Sequence, residues 1–220
     1  MGEVDYSALY GLQDRVLDAV LKSELSFYVT GGTCLNRFYR EERYSEDLDL
    51  FTNDHELFRE DVREVRDVLR GNALSHVTNV DTRDFVRIIV EDALQVDLVN
   101  DRVPHYGEIR VTSAGQRIDN VPNITANKIT AILGRDEPKD VFDLYLGARV
   151  ASFSWDDVVG AARAKALFDI EALQYRLESF PPALLDGLAV RDEGFLQELK
   201  RDYTTLCGEI VELAPNSLAT

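Results

Sequence analysis

Ser26-Phe27-Tyr28-Val29-Thr30-Gly31-Gly32-Thr33 and, after eleven intervening residues, Ser45-Glu46-Asp47-Leu48-Asp49-Leu50-Phe51 decide how the rest of the chain reads. The first run is rich in β-branched and aromatic residues and closes on two glycines, after which Thr33 opens a helix to about Arg40. The second run alternates. Strand side chains repeat every two residues, so Asp47 and Asp49 face one side while Leu48 and Leu50 point into a core. Two adjacent carboxylates repel each other unless a cation neutralises them. Hard oxygen donors of this kind suit Mg²⁺, and a pair of such ions about 3.5–4 Å apart can activate a hydroxyl and stabilise a leaving pyrophosphate. In so acidic a chain the same alternation also reads as an acidic solvent face. The glycine turn is open in the same way. It either lets backbone N–H groups approach a phosphate at a helix N-terminus or is an ordinary strand-to-helix turn, and it has neither the dinucleotide nor the P-loop glycine pattern.

Upstream, Tyr6, Leu9, Leu12, Val16 and Val20 recur at three- or four-residue steps and predict an amphipathic helix. Downstream, a helix is expected from about His55 to Leu69, with Phe58, Val62, Val65 and Leu69 on one side. Strands are expected at Ser75 to Asp81, Phe85 to Glu91 and Leu94 to Asn100, the last two joined by a tight Glu91-Asp92-Ala93 connection, and a short strand pair within Tyr106 to Arg117. Asp97 lies between Val96 and Leu98 in an apolar strand, so its charge needs either a metal or an arginine partner. After Pro122 the pattern turns helical, with Pro138 in the first turn of a helix to about Val150 and a capping arrangement at Ser154. The expected architecture is an α/β (α+β) sheet domain over residues 1–120 followed by a helical bundle domain over 121–220.

The chain has 220 residues, 45% of them hydrophobic, enough to bury a core. Its formal net charge of −16 disfavours long contacts with duplex nucleic acid. A small basic groove, a short RNA end or a basic protein partner remain compatible with it. No apolar run is long enough for a transmembrane helix, and Met1-Gly2-Glu3-Val4-Asp5 lacks the basic start and apolar stretch of a signal peptide. Cys34 and Cys207 lack metal-ligand spacing and read as reduced, cytoplasmic cysteines. His55, His76 and His105 show no ligand spacing either, and Trp155 reads as a packing residue.

The run Gly31-Gly32-Thr33…Arg37-Phe38…Arg43-Tyr44-Ser45-Glu46-Asp47-Leu48-Asp49-Leu50-Phe51 resembles the first motif of the AbiEii/AbiGii-type (MenT-like) nucleotidyltransferase toxins, within the DNA polymerase β-like nucleotidyltransferase superfamily. The later run Asn127-Lys128-Ile129-Thr130-Ala131…Arg135…Lys139-Asp140-Val141-Phe142-Asp143-Leu144-Tyr145 is similar to the second signature of that family. The resemblance implies a nucleotidyltransferase fold whose helical domain contributes to the active-site cleft. Asp47 and Asp49 would bind metal, Mg²⁺ or Mn²⁺, with Asp97 as a third ligand. Gly31, Gly32, Thr33 and Ser45 would lie near the triphosphate of the NTP. Lys128 would bind nucleotide phosphates and Asp143 would be needed for activity, while Arg37, Arg43 and Arg135 would contact the acceptor. Each has a structural alternative: a solvated lysine, acids capping or pairing within their helix, and Arg37 and Arg43 neutralising Asp47 and Asp49.

By that resemblance the protein is a cytoplasmic toxin of a toxin–antitoxin pair, moving NMP from an NTP onto an acceptor hydroxyl. The tRNA 3′ end is the expected acceptor, with aminoacylation and growth blocked, and a cognate antitoxin is the expected partner. Two other readings stand beside it: transfer to a protein or small-molecule hydroxyl, and a non-catalytic binding module with the same fold. Phosphorylation of Ser45 would place further negative charge beside Asp47 and compete with the triphosphate.

Overall fold

The Asp47–Phe51 alternation becomes β2 (Asp47–Thr52), in which Leu48, Leu50 and Thr52 are buried and Asp47, Asp49 and Phe51 half-buried. The computed structural model describes residues 4–22 and 25–220, so the reading of Met1 to Glu3 lies outside the described residues. The chain divides into two compact units.

The first unit comprises residues 1–33, 45–104 and 108–119. Its strands are β1 (Tyr28–Thr30), β2, β3 (His76–Asp81), β4 (Phe85–Val90), β5 (Leu94–Asn100), β6 (Arg110–Val111) and β7 (Arg117–Ile118). They form one sheet in the order β3-β4-β5-β2-β1-β7-β6. β2 runs parallel to β5, with Asp47 opposite Gln95 and Asp49 opposite Asp97, and antiparallel to β1, with Thr30 opposite Asp49. Helix α1 (Tyr6–Leu21) starts at Asp5, whose carboxylate accepts from the Ala8 amide at 3.0 Å. Its buried stripe of Leu9, Leu12, Val16, Leu17 and Val20 and that of α3 (Phe58–Gly71), Phe58, Val62, Val65 and Leu69, cover the apolar face of the sheet. Phe27 meets Phe58 edge-on at 6.1 Å.

Several boundaries differ from the sequence expectation, and the largest differences are local. The first strand begins at Tyr28, because the Ser26 amide donates to the Asp61 carboxylate at 2.9 Å and so leaves the ladder. The helix expected from His55 begins at Phe58, since Asp54 Oδ1 accepts from the Glu56 and Leu57 amides, both at 3.2 Å, and holds a turn there. Between Tyr106 and Arg117 only Arg110–Val111 pairs with Arg117–Ile118. The β4–β5 hairpin turns over Glu91 and Asp92, at φ of 52° and 55°, and Glu91 accepts from the Ser75 amide at 2.8 Å.

The second unit takes residues 34–44, 105–107 and 120–220. Helix α2 (Gly31–Cys34) continues as a π-helical turn over Leu35–Tyr39. Residues 42–44 pair with 189–191: the Tyr44 amide donates to the Ala189 carbonyl at 3.0 Å and the Arg191 amide to the Glu42 carbonyl at 2.8 Å. The remaining helices are α4 (Val121–Gly134), α5 (Pro138–Val150), α6 (Trp155–Lys165), α7 (Ile170–Ser179), a 3₁₀ turn (Pro182–Gly187) and α8 (Glu193–Val211). Side chains of Asn120, Ser154, Asp169 and Asp192 cap α4, α6, α7 and α8. Every residue of α5 from Asp140 to Ala148 is buried, so this helix is enclosed on all sides and has no solvated face for its two aspartates. Trp155 is fully buried and donates to Glu209 at 3.2 Å, a packing residue as read.

Candidate active site

In the first unit the glycine turn and the carboxylate strand meet. Gly31 has φ of 70°, a conformation that L side chains rarely adopt. A Cβ at this position would lie 2.5 Å from Asp49 Oδ2, so the missing side chain is what lets the Asp49 carboxylate lie against the backbone. Thr33 Oγ1 donates to the Asp47 carbonyl and lies 2.6 Å from Ser45 Oγ. Ser45 is fixed further by its amide, which donates to Tyr10 Oη at 3.1 Å, and its carbonyl, which accepts from Gln13 Nε2 at 2.9 Å. On β5, Asp97 accepts two hydrogen bonds from Arg87, each 2.7 Å, and one from Gln95 at 3.3 Å. These bonds to Asp97, with its charge and the fields of Asp47 and Asp49, raise the Arg87 pKa above its ordinary value.

In the second unit a buried ionic cluster joins α4, α5 and the 34–44 segment. Arg43 forks onto Asp143 through Nε and Nη2, both 2.8 Å. Lys128 Nζ reaches Asp143 at 2.7 Å and Asp140 at 2.9 Å, and Arg135 closes on Asp140 at 2.6 Å. Asn36 accepts from the Glu42 and Arg43 amides, at 3.2 and 3.0 Å, and donates to Asp143 at 3.4 Å. Burial opposes ionisation of Asp143, but the adjacent Arg43 and Lys128 outweigh it and hold its carboxyl down to about 2. Asp140 is lowered against the same burial by Lys128 and Arg135. Burial also works against the Lys128 charge, and Asp143 and Asp140 override it, so that its pKa lies above the ordinary lysine value.

Residues 15–219 match the family model of the nucleotidyl transferase AbiEii toxin, type IV toxin–antitoxin system. The chain belongs to this family. It is therefore a nucleotidyltransferase of toxin–antitoxin type. Solved structures agree on the fold. JHP933 from Helicobacter pylori superposes with a TM-score of 0.59 at 19% identity, covering 97% of this chain and 93% of that one. The antibiotic-resistance factor ANT(2″)-Ia gives 0.51 at 14% identity, over 73% of this chain and 92% of that one. Among curated proteins, the serine–tRNA ligase of Methanosarcina barkeri is 26% identical over 187 residues, which covers 67% of this chain and 44% of the ligase. The chain thus spans less than half the length of that relative.

For an AbiEii nucleotidyltransferase the donor chemistry at β2 fits a hard divalent cation. Asp47 and Asp49 share one face, half-buried, and the second carboxylate occupies the space that Gly31 leaves open. Asp97 stands in register beside Asp49, with both oxygens on Arg87. Among the described residues, no group of three or more His, Cys, Asp and Glu side chains is arranged to hold a metal ion.

The structure gathers Gly31, Thr33, Ser45, Asp47, Asp49 and Asp97 in the first unit and Arg43, Lys128, Arg135 and Asp143 in the second. Arg37 lies on the π-helical turn, half-buried. Arg43, read from sequence as an acceptor contact or a neutraliser of the carboxylate pair, is buried and forked onto Asp143. Arg87 and Asn36 were not singled out in the sequence. Arg87 was legible: it stands five residues before Asp92 and Asp97 five after, so a hairpin centred there pairs them. Asn36 had no sequence signal, since Glu42, Arg43 and Asp143 reach it by chain folding back from residue 42 onward.

Proposed function

We propose that this chain is the toxin of a toxin–antitoxin pair and transfers NMP from an NTP to the 3′-terminal hydroxyl of a tRNA, blocking aminoacylation. The acceptor oxygen bonds to the α-phosphorus, the bond to pyrophosphate breaks, and the hydroxyl proton is released to water. The observation that carries this reading is the Asp49 carboxylate seated in the space left by Gly31, beside Asp47 on the same strand face. A divalent cation, Mg²⁺ or Mn²⁺, would be held by Asp47 and Asp49 and would neutralise the triphosphate. Gly31 and Gly32 bring backbone close to the phosphates, while Thr33 and Ser45 fix the chain on either side of them through their paired hydroxyls. Within the second unit, Asp143 holds both Arg43, and with it the 34–44 segment, and Lys128. The tRNA acceptor is supported by the two motif resemblances and by a relative whose name is that of a tRNA ligase. A cognate antitoxin is the partner that membership of the family implies. Among the described residues no helix is long and apolar enough to cross a membrane.

The test is incubation with each of four labelled NTPs, Mg²⁺ and total RNA, with Asp49→Ala as control. Label on the tRNA 3′ end with wild type and none with the variant is the expected result. Label that resists RNase and yields to protease would transfer the reading to a protein acceptor.

A further inference from the structure

Helix α3 carries Arg59, Arg63, Arg66 and Arg70, at steps of four, three and four residues. At 100° per residue they fall within about 60° of the helix circumference and over about 16 Å of its length. Glu60, Glu64 and Asp67 share the next flank, and Phe58, Val62, Val65 and Leu69 form the buried face. The charges are sorted rather than mixed, so a continuous arginine stripe lies between core and acidic flank in a chain whose formal net charge is −16. The stripe borders β3, the edge strand of the sheet. Arg59 and Arg66 both reach Asp81, at 2.8 and 2.7 Å, which is exposed and holds the two guanidinium groups side by side. Arg63 is exposed and, among the described residues, makes no ion pair. Arg70 pairs with Asp67 on its own helix at 2.8 Å, both side chains more than half exposed, a contact of little energetic weight. Arg83, exposed at the β3–β4 turn, adds a further positive charge.

Guanidinium forks match phosphate oxygens, and a stripe of this length faces several phosphates in succession. The neighbouring edge strand is poorly suited to capture a peptide instead, because the register of β3 shifts between Thr78 and Val80 and interrupts its ladder. We infer that the α3 arginine stripe is a phosphate-backbone contact for the RNA acceptor. This rests on the proposed tRNA reading. Three strand spacings, about 14 Å, separate β3 from β2, and α3 covers the sheet face opposite Asp47 and Asp49. The stripe therefore engages the body of the RNA and not the end that reacts. Asp81 competes with phosphate for Arg59 and Arg66, so affinity is restrained by a carboxylate that RNA must displace.

The experiment measures binding of labelled total tRNA to the full chain as a function of salt. Wild type is compared with Arg63→Ala/Arg70→Ala, Arg63→Lys/Arg70→Lys and Asp81→Asn. The double alanine variant is expected to bind about tenfold more weakly, with the log–log salt slope reduced by about two. The lysine variant should keep the wild-type slope, and Asp81→Asn should bind more tightly. Unchanged affinity and slope in the double alanine variant overturn the inference, as does a wild type that binds no tRNA. Wild type that binds a polyglutamate peptide through these arginines, with tRNA binding equal in both proteins, assigns the stripe to a protein partner and also overturns it. Binding that depends on the stripe in a protein that labels no RNA leaves the contact standing and removes the transfer reading instead.

Discussion

Replacing Asp143 by Asn leaves Arg43 and Lys128 buried with one carboxylate, Asp140, which Arg135 already shares. Asp143 is fully buried and takes two hydrogen bonds from Arg43 and a contact from Lys128, all between 2.7 and 2.8 Å. Removing one partner from such a group strands the opposite charges, and a loss of about 3–5 kcal/mol is expected. Part of this is visible in the ionisation. A carboxyl held at about 2 instead of its ordinary 3.8 contributes about 2 kcal/mol at neutral pH. Because the folded value is the depressed one, that contribution is complete above the unfolded value and is lost as pH falls through 3.8 toward 2. Lys128 is displaced the other way, so its share is complete below its ordinary 10.5 and is lost at higher pH, as the folded value is passed. Trp155, the single tryptophan, is buried in the same unit and reports its unfolding by fluorescence. Urea titrations should show wild-type stability falling between pH 4 and pH 2 more steeply than that of Asp143→Asn. A loss below about 1 kcal/mol at pH 7, or identical acid limbs in both proteins, would refute the buried-cluster account.

Gly31→Ala forces an L side chain to φ of 70° and sets its Cβ against Asp49. It should cost about 1 kcal/mol in backbone strain and reduce nucleotide transfer about a hundredfold, read by labelled NTP turnover. Arg87→Ala removes both guanidinium bonds from Asp97 and should strengthen Mn²⁺ binding measured calorimetrically; unchanged affinity would show that Asp97 takes no part in holding the cation. Ser45→Glu places a carboxylate beside the Thr33 hydroxyl and should raise the KM for NTP, whereas undiminished NTP transfer would sink the competition argument.

Period-two alternation made β2 readable, because it buries one face and the repeat leaves no second solution. α3 was readable for the parallel reason at helical spacing. The arginine that answers Asp97, Arg87, was not singled out, although hairpin symmetry about Asp92 pairs the two. What sequence could not supply was the company kept by Lys128 and Asp143. The motif places both, but their burial depends on α5 being enclosed and on residues 42–44 pairing with 189–191. The second of these joins positions more than a hundred residues apart, beyond the reach of any local pattern. The extra residue of the π-helical turn at Leu35–Tyr39 was equally hidden, since no composition rule marks it.

The pairing of β2 with its neighbours also acts as a check on folding. Asp49 stands opposite Asp97 on one side and Thr30 on the other. A slip of one residue would turn Leu48 and Leu50 to solvent and drive both aspartates into the apolar layer under α1 and α3. The alternation that sets Asp47 and Asp49 on one face is thus the one that penalises a one-residue slip. In a member of a toxin–antitoxin family, the carboxylate pair is thereby tied to correct assembly of the sheet.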